Sequence, residues 1–266
     1  MAPRNYQTEA IIIKKTKLGE ADRVLTLYTR DRGKIQAVAR GVRRPKSKMA
    51  GHLEIMTCSQ VSLARGRNLD IITGAQTIES FLRLKTDLVL ASCGLYIIEL
   101  VNLFTSDQSE DEAVFNLLFE TLSSLQTLDN RELLTRYFEL KLLELSGYRP
   151  QLHTCIGCHQ PLAPVVNYFN AGIGGMLCPH CALKYSFSLE IPVSTLKVFR
   201  FIQDNDYSAV ARLKINSTLA KELEVVTRHY LRYILEREVK SVAWLDSLRD
   251  QLTRPNSSSS IATEME

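Results

Sequence analysis

Four cysteines restrict the possible folds of this chain more than any other feature. Cys155-Ile-Gly-Cys158 and Cys178-Pro-His-Cys181 are two C-x2-C pairs separated by nineteen residues, a spacing that brings both pairs to one ion. Each pair can form a tight knuckle with both thiolates aimed at the same cation, and a strand-like run from Val165 to Phe169 returns the chain between them, as in a zinc ribbon. Four thiolates fill a tetrahedral Zn2+ shell and leave no open position, so the expected metal is structural, one ion, and not catalytic. A loop-rich segment of this size has little core of its own, and metal binding supplies the missing cohesion.

Other uses of these cysteines fit less well. The string CPHC also matches the dithiol of thioredoxin-like oxidoreductases, but no βαβ pattern surrounds it and the first pair would have no role. A zinc nucleobase deaminase needs His-x-Glu and Pro-Cys-x-x-Cys, whereas Leu177 and Thr154 precede the relevant cysteines here. His153, His159 and His180 are near enough in sequence to act as ligands, yet four thiols leave them a peripheral part. Cys58 and Cys93 fall in apolar surroundings and read as core thiols. The chain shows no phosphate-binding glycine loop, HExxH or GxSxG pattern, so a non-catalytic protein is expected.

Charge divides the chain in two. Residues 1–80 hold fifteen Lys and Arg against seven Asp and Glu, a net +8, while residues 81–266 hold eighteen against twenty-two, a net −4. Arg30, Arg32, Lys34, Arg40, Arg43, Arg44, Lys46 and Lys48 crowd nineteen residues that contain one acid, Asp31. A surface so charged repels itself unless an anion lies close. The run Arg43 to Lys48, with Pro45 blocking helix, reads as a mobile arm suited to phosphate, since each phosphate neutralised releases a counterion. A cationic run by itself fits a solvated loop equally well, so the surrounding fold has to decide.

That fold reads as a small β-barrel. Thr8–Lys15, Asp22–Thr29, Lys34–Arg40, Leu53–Leu63 and Leu69–Gln76 are five strand candidates separated by glycine-bearing turns. In the fourth, Leu53, Ile55, Thr57, Ser59, Val61 and Leu63 share a face. Five short strands in about 70 residues suit an OB-type barrel, with an SH3-like barrel as the alternative. Arg65 and Arg67 in the last hairpin extend the basic face. Tyr28 is the aromatic nearest the arm, so backbone contact is expected to outweigh base stacking.

Near Ser80 the apolar period changes from two to three or four. One helix is expected from Leu84 to Phe104, a second after a Ser109 and Glu112 capping box, and a third from Asn130 to Gly147. After the cysteines a helix capped by Ser194 and a longer one from Ser217 to Val239 follow, the latter with Leu219, Leu223, Val226, Tyr230 and Tyr233 inward. The expected class is therefore α+β: a barrel over residues 1–79 and a helical domain over 80–250. The zinc-ribbon-like insertion occupies about 150–187, and a disordered serine-rich tail spans 251–266. The Asn216-Ser217-Thr218 sequon reads as chance. No apolar run is long enough for a signal peptide or a bilayer span, which points to a cytoplasmic protein with no membrane partner.

The stretches TEAIIIKKTKLGEADRVLTLYTRDRGKIQAVARGVRRPKSK, ESFLRLKTDLVLASCGLYIIELV and FELKLLELSGYRP, together with the CIGC and GGMLCPHC pairs, occur in an order and spacing that resembles one family. This is the RecO family of bacterial DNA repair and recombination mediators, and the resemblance runs from about Tyr6 to Leu248. It implies an N-terminal OB-fold and a helical domain with an inserted zinc module. It further implies binding of single- and double-stranded DNA, annealing of complementary strands, and work with RecR that lets RecA replace single-stranded DNA-binding protein. Family members also dock the acidic C-terminal tail of that protein, though no short motif marks the dock. Some members lack the full quartet, so the implied role of zinc is in the fold. The residues alone leave a zinc-ribbon regulator or an RNA-binding module as the alternative.

Overall fold

The computed structural model describes residues 4–127 and 130–253. Five strands, β1 (Asn5–Leu18), β2 (Asp22–Thr29), β3 (Gly33–Ala39), β4 (Cys58–Ala64) and β5 (Asp70–Glu79), close a barrel in the order β1-β2-β3-β5-β4. Every pairing is antiparallel except β3 with β5, which run parallel through Ala37↔Asp70 and Val38↔Ile71. That order is the OB-type Greek-key closure and removes the SH3-like alternative. Ala10, Ile12, Leu25, Leu27, Ile35, Ala37, Val61, Leu63 and Ile72 fill the interior. On the outside Ile11, Ile13, Tyr28 and Cys58 are also buried, because the helices cover them. A strand covered on both faces has no polar side to alternate with, which explains the unbroken Ala10-Ile11-Ile12-Ile13 run.

The fourth strand is shorter than its alternation predicts. Gly51–Leu53 form a single helical turn, and Met56 takes a left-handed φ of 57°. Met56 N donates to Ile12 O at 2.9 Å, and Ile12 N donates to Thr57 O at 3.1 Å. These bonds turn the Met56 side chain outward, to where a Cβ on Gly94 would lie 2.5 Å from its sulfur. Residues 53–57 therefore join the barrel to the helices and do not extend the sheet.

The helical region begins with α1 (Leu82–Thr86), α2 (Leu88–Phe104), α3 (Glu112–Leu125) and α4 (Arg131–Leu145). The single helix expected over 84–104 is interrupted at Asp87, whose carboxylate accepts from Val89 N and Leu90 N and starts α2 afresh. Asp111 caps α3 in place of Ser109, accepting from Val114 N at 3.1 Å. Asn130 caps α4, and Gly147 follows its end with a φ of 83°. The inserted module holds β6 (Asn167–Asn170), β7 (Gly175–Leu177), α5 (Pro179–Ala182) and β8 (Leu189–Ile191), with sheet order β7-β6-β8. Its first strand starts later than the expected Val165, because Asn167 Nδ2 donates to both Ala163 O and Val165 O and holds those residues in a turn.

The chain ends with α6 (Val193–Asp204), α7 (Tyr207–Val210), α8 (Ser217–Leu235) and α9 (Lys240–Thr253). Pro192, not Ser194, occupies the start of α6. Asn216 caps α8 through Leu219 N at 2.9 Å, which is the structural use of the sequon-like triplet. Leu223, Val226 and Tyr230 of α8 are buried as expected, but Tyr233 is exposed and the helix stops at Glu236, where φ is 52°. The chain then reverses into α9, a separate helix packed on α2. Residues 251–253 complete α9, and the rest of the expected tail lies outside the described residues. Among the described residues no helix is long and apolar enough to cross a membrane.

Candidate nucleic-acid interface and metal centre

Two of the cations expected to face an anion hold the barrel to the helices instead. Arg30 sits over the Phe115 ring, with its Nε 2.6 Å from Glu9 and its Nη1 3.0 Å from Glu112 and 2.8 Å from Asn116. These acids, Glu9 foremost, raise its pKa further. Lys34 Nζ donates to Asn102 O at 2.9 Å and Thr105 O at 2.5 Å and lies 3.6 Å from Asp107. Tyr28, between them on the outer sheet face, is buried and donates to Asp111 O, so it offers no ring to a base. The physical reason is position: this row of the barrel is the one the helical domain covers. Gly33 makes the approach possible, since its φ is 59° and a Cβ there would fall 1.8 Å from Ser109 O.

The remaining cations lie outside that contact. Arg32 stacks over the Tyr6 ring at 4.3 Å, and Arg65 approaches the same ring at 5.8 Å. The Tyr6 hydroxyl donates to Asp70, and burial together with that carboxylate raises its pKa well above the ordinary phenol range. Tyr6 escapes a reading of the sequence because its neighbours arise only when β1 meets the far ends of β4 and β5. The run read as a mobile arm is folded into tight turns, with Arg44 N on Gly41 O and Ser47 N on Arg44 O. It is anchored to the β1–β2 turn by Gly41 N on Asp22 at 2.7 Å, Arg43 N on Ala21 O at 3.0 Å and Arg43 Nη1 on Gly19 O at 3.2 Å.

The sheet register sorts these pieces into two groups. Ala37 pairs with Asp70 in parallel, so the Arg65 to Leu69 turn lies back toward the start of β3, where Arg65 and Arg32 share the Tyr6 ring. The turns after Gly41 lie against residues 19–22, so two connections gather at the opposite end of β3. Arg40, Arg43, Arg44, Lys46 and Lys48 are all exposed there, and Arg65 and Arg67 are exposed at the other turn. Of the two acids in residues 19–22 and 40–48, Asp22 accepts from Gly41 N, leaving Glu20. Arg40, Arg44, Lys46, Lys48 and Arg67 make no side-chain hydrogen bond or ion pair among the described residues. Five cations facing one free acid form a surface that attracts a polyanion at range.

The cysteines converge as their spacing predicts. The Sγ atoms of Cys155, Cys158, Cys178 and Cys181 all lie within 4.8 Å of one another, and those of Cys158 and Cys178 are 4.0 Å apart. A tetrahedral ion at the usual metal–sulfur distance needs sulfurs about 3.8 Å apart, so a small contraction closes the shell. Backbone positions the first knuckle: Cys178 N donates to Cys155 Sγ at 3.3 Å, and His159 N donates to Cys155 O at 2.8 Å. Gly157 leaves room for the quartet, since a Cβ there would press on Cys181 Sγ at 3.1 Å.

The electrostatics of the quartet also favour a cation. Burial opposes ionisation of Cys155, but backbone N–H groups, that of Cys178 first, outweigh it and pull the thiol down to about 6. Cys181 is pushed up to about 12 by burial and by the three sulfurs around it. Four thiols this close cannot all ionise without a positive ion among them. The quartet could therefore hold a metal ion. His159 and His180 are exposed, and His153 pairs with Asp204 at 3.1 Å, so the histidines stay outside the shell. Cys58 is buried under the helices, its thiol pushed up to about 12 by desolvation.

Residues 1–81 match the family model described as Recombination protein O N terminal, and residues 85–243 match Recombination protein O C terminal. A DNA repair protein RecO from Dehalococcoides mccartyi is 47% identical over 246 residues, covering 92% of this chain and 97% of its own. One from a Roseiflexus species is 38% identical over 263 residues, 99% of this chain and 92% of that protein. One from Symbiobacterium thermophilum is 32% identical over 247 residues, 92% of this chain and 98% of that protein.

Proposed function

This chain belongs to the RecO family of DNA repair proteins, and on that premise we propose that it is a non-catalytic DNA-binding recombination mediator. The observation that carries the reading is the end of the barrel where five exposed cations face one free acid. Single- or double-stranded DNA docks there through its phosphates, and release of condensed counterions supplies the affinity. Arg32, stacked on Tyr6, joins Arg65 and Arg67 in a second cationic group at the other end of β3, whereas Arg30 and Lys34 fix the barrel on its support. Contacts of this kind position a strand without reading it. Two complementary strands held on one cationic surface lose much of their mutual repulsion, and base pairing then selects the match, so annealing needs no catalytic residue.

Cys155, Cys158, Cys178 and Cys181 would hold one structural Zn2+, the ion that an all-thiolate tetrahedral shell suits. The ion's charge would let the four thiols ionise together and would join the two ends of the insertion. The less charged helical domain is free to meet protein partners: RecR, the acidic C-terminal tail of single-stranded DNA-binding protein and, indirectly, RecA. The reading places the protein at the nucleoid.

An annealing assay on the purified chain, with and without single-stranded DNA-binding protein, tests the reading. Faster pairing of complementary strands is expected at protein concentrations that coat them. Equal rates with and without the chain, or binding confined to RNA of one sequence, would favour the regulator instead.

A further inference from the structure

The cationic end of the barrel continues onto a face that leads to the helical domain. Side chains alternate along β3, so Lys34, Gln36, Val38 and Arg40 point outward together, opposite the interior Ile35, Ala37 and Ala39. The register puts Thr26 beside both Gln36 and Lys14, and Val24 beside both Val38 and Thr16. Followed from Arg40 toward Lys34, these rows descend into a cleft of about 750 Å³ between β1–β3 on one side and α2 and α9 on the other.

Charge in this cleft is one-sided. Lys14, Arg237 and Lys240 line it, and their side chains make no hydrogen bond or ion pair among the described residues. Its two acids are both engaged. Glu99 accepts from Lys240 N at 3.0 Å and Ser241 N at 2.8 Å, and Asp107 faces Lys34 Nζ at 3.6 Å. Trp244 of α9, the sole tryptophan of the chain, also lines the cleft and is 36% exposed. An exposed indole beside three free cations combines the two elements of a single-strand platform, a π-face for a base and charge for the phosphates on either side.

We propose that this cleft continues the DNA path of the barrel: a single strand runs from Arg40 across the Val24–Val38 and Thr26–Gln36 rows, its phosphates reach Lys14, Lys240 and Arg237, and one base stacks on Trp244. The inference rests on the DNA-binding reading above and adds to it a stacking residue from the helical domain. A duplex keeps its bases stacked inside and offers no free base face, so the cleft selects single strands. An acidic peptide would satisfy the charge, but the unbroken connection to the barrel's cationic end favours a strand that occupies both.

Because the chain has one tryptophan, its emission reports on this cleft alone. The full chain is titrated with oligo(dT), following tryptophan emission, and in parallel with labelled oligo(dT), following anisotropy. Quenching that tracks the anisotropy isotherm is expected. Trp244→Ala should weaken single-strand binding by about fivefold or more, the size of one lost base stack, with duplex binding unchanged and Trp244→Phe restoring most of the loss. Rising anisotropy with unmoved emission would leave DNA binding intact and overturn this path, whereas no anisotropy change would refute the DNA-binding reading itself. Quenching by an acidic peptide but not by oligo(dT) would make the cleft a peptide site and also overturn the proposal. If Trp244→Ala fails to fold, the wild-type emission still decides.

Discussion

Replacing Gly33 by alanine tests whether the barrel and the helices are held as one rigid unit. At this position φ is 59°, and the added carbon would lie 1.8 Å from Ser109 O and 2.5 Å from its carbonyl carbon. The left-handed backbone costs a residue with a side chain about 1–2 kcal/mol. The collision is with backbone on both sides and cannot be relieved by a rotamer, which adds about 1–3 kcal/mol of overpacking. Opening the contact also endangers Gln108 N on Lys34 O at 2.8 Å and the Lys34 bonds to Asn102 O and Thr105 O. At about 2–4 °C per kcal/mol for a protein of this size, the melting temperature should fall by on the order of 10 °C. Gly19→Ala is the matched control: its φ is 57°, yet nothing lies within 4 Å of the added carbon, so it bears the backbone cost alone. Calorimetry of both variants, with hydrogen exchange at the Gln108 amide, provides the measurement. Equal melting temperatures for the two, with Gln108 still protected, would refute the rigid contact.

Three further outcomes follow from the same structure. Cys178→Ser leaves three thiolates, so the metal content of the purified protein should drop and amides of β6 and β7 should lose protection while those of β2 and β3 keep it. Gly157→Ala, with its new carbon 3.1 Å from Cys181 Sγ, should weaken metal retention against a competing chelator without removing any ligand. Arg136→Met acts on the core of the helical domain, where Arg136 Nη2 donates at 2.8 Å to Glu139, a fully buried carboxyl that also accepts from Tyr96. Loss of the cation from such a pair costs about 3–5 kcal/mol. Burial already raises the Glu139 pKa against the pull of Arg136, so the fold binds this proton more tightly than the unfolded chain does. Stability from a raised carboxyl is present at acid pH and lost as pH climbs through the folded value, so the variant's deficit should be larger near about pH 8 than near about pH 5.

The elements were legible in the sequence where one local signal decided them. The C-x2-C pairs, the Asn130 cap and the strand Asp22–Thr29 depend on neighbours a few residues away, and each stands in the structure where its pattern puts it. Positions decided by contacts between domains were not legible. Arg30 and Lys34 look like the other cations of their run, and only the docking of α2 and α3 on the outer sheet face gives them acids and carbonyls to hold. The alternation from Leu53 to Thr57 resembled a strand because residues turned toward a barrel and residues turned toward a helix are apolar alike. The same ambiguity hid α9: its cap is Glu99, 141 residues away from Lys240. Tyr6 and Trp244 carried no local signal, since one gains its guanidinium partners by barrel closure and the other faces the cleft only once α9 folds back on α2.

The central claim is that unpaired cations at one end of the barrel hold DNA by its phosphates. The salt dependence of oligo(dT) affinity, compared between the wild type and Arg43→Ala, Arg44→Ala, Lys46→Ala, Lys48→Ala combined, tests it most directly. Each phosphate neutralised on a single strand contributes about −0.7 to the slope of log K against log salt concentration, so four lost contacts should flatten the slope by about 3. Weaker binding with that flatter slope is the expected result. An unchanged affinity and slope would show that DNA, if bound, is held elsewhere.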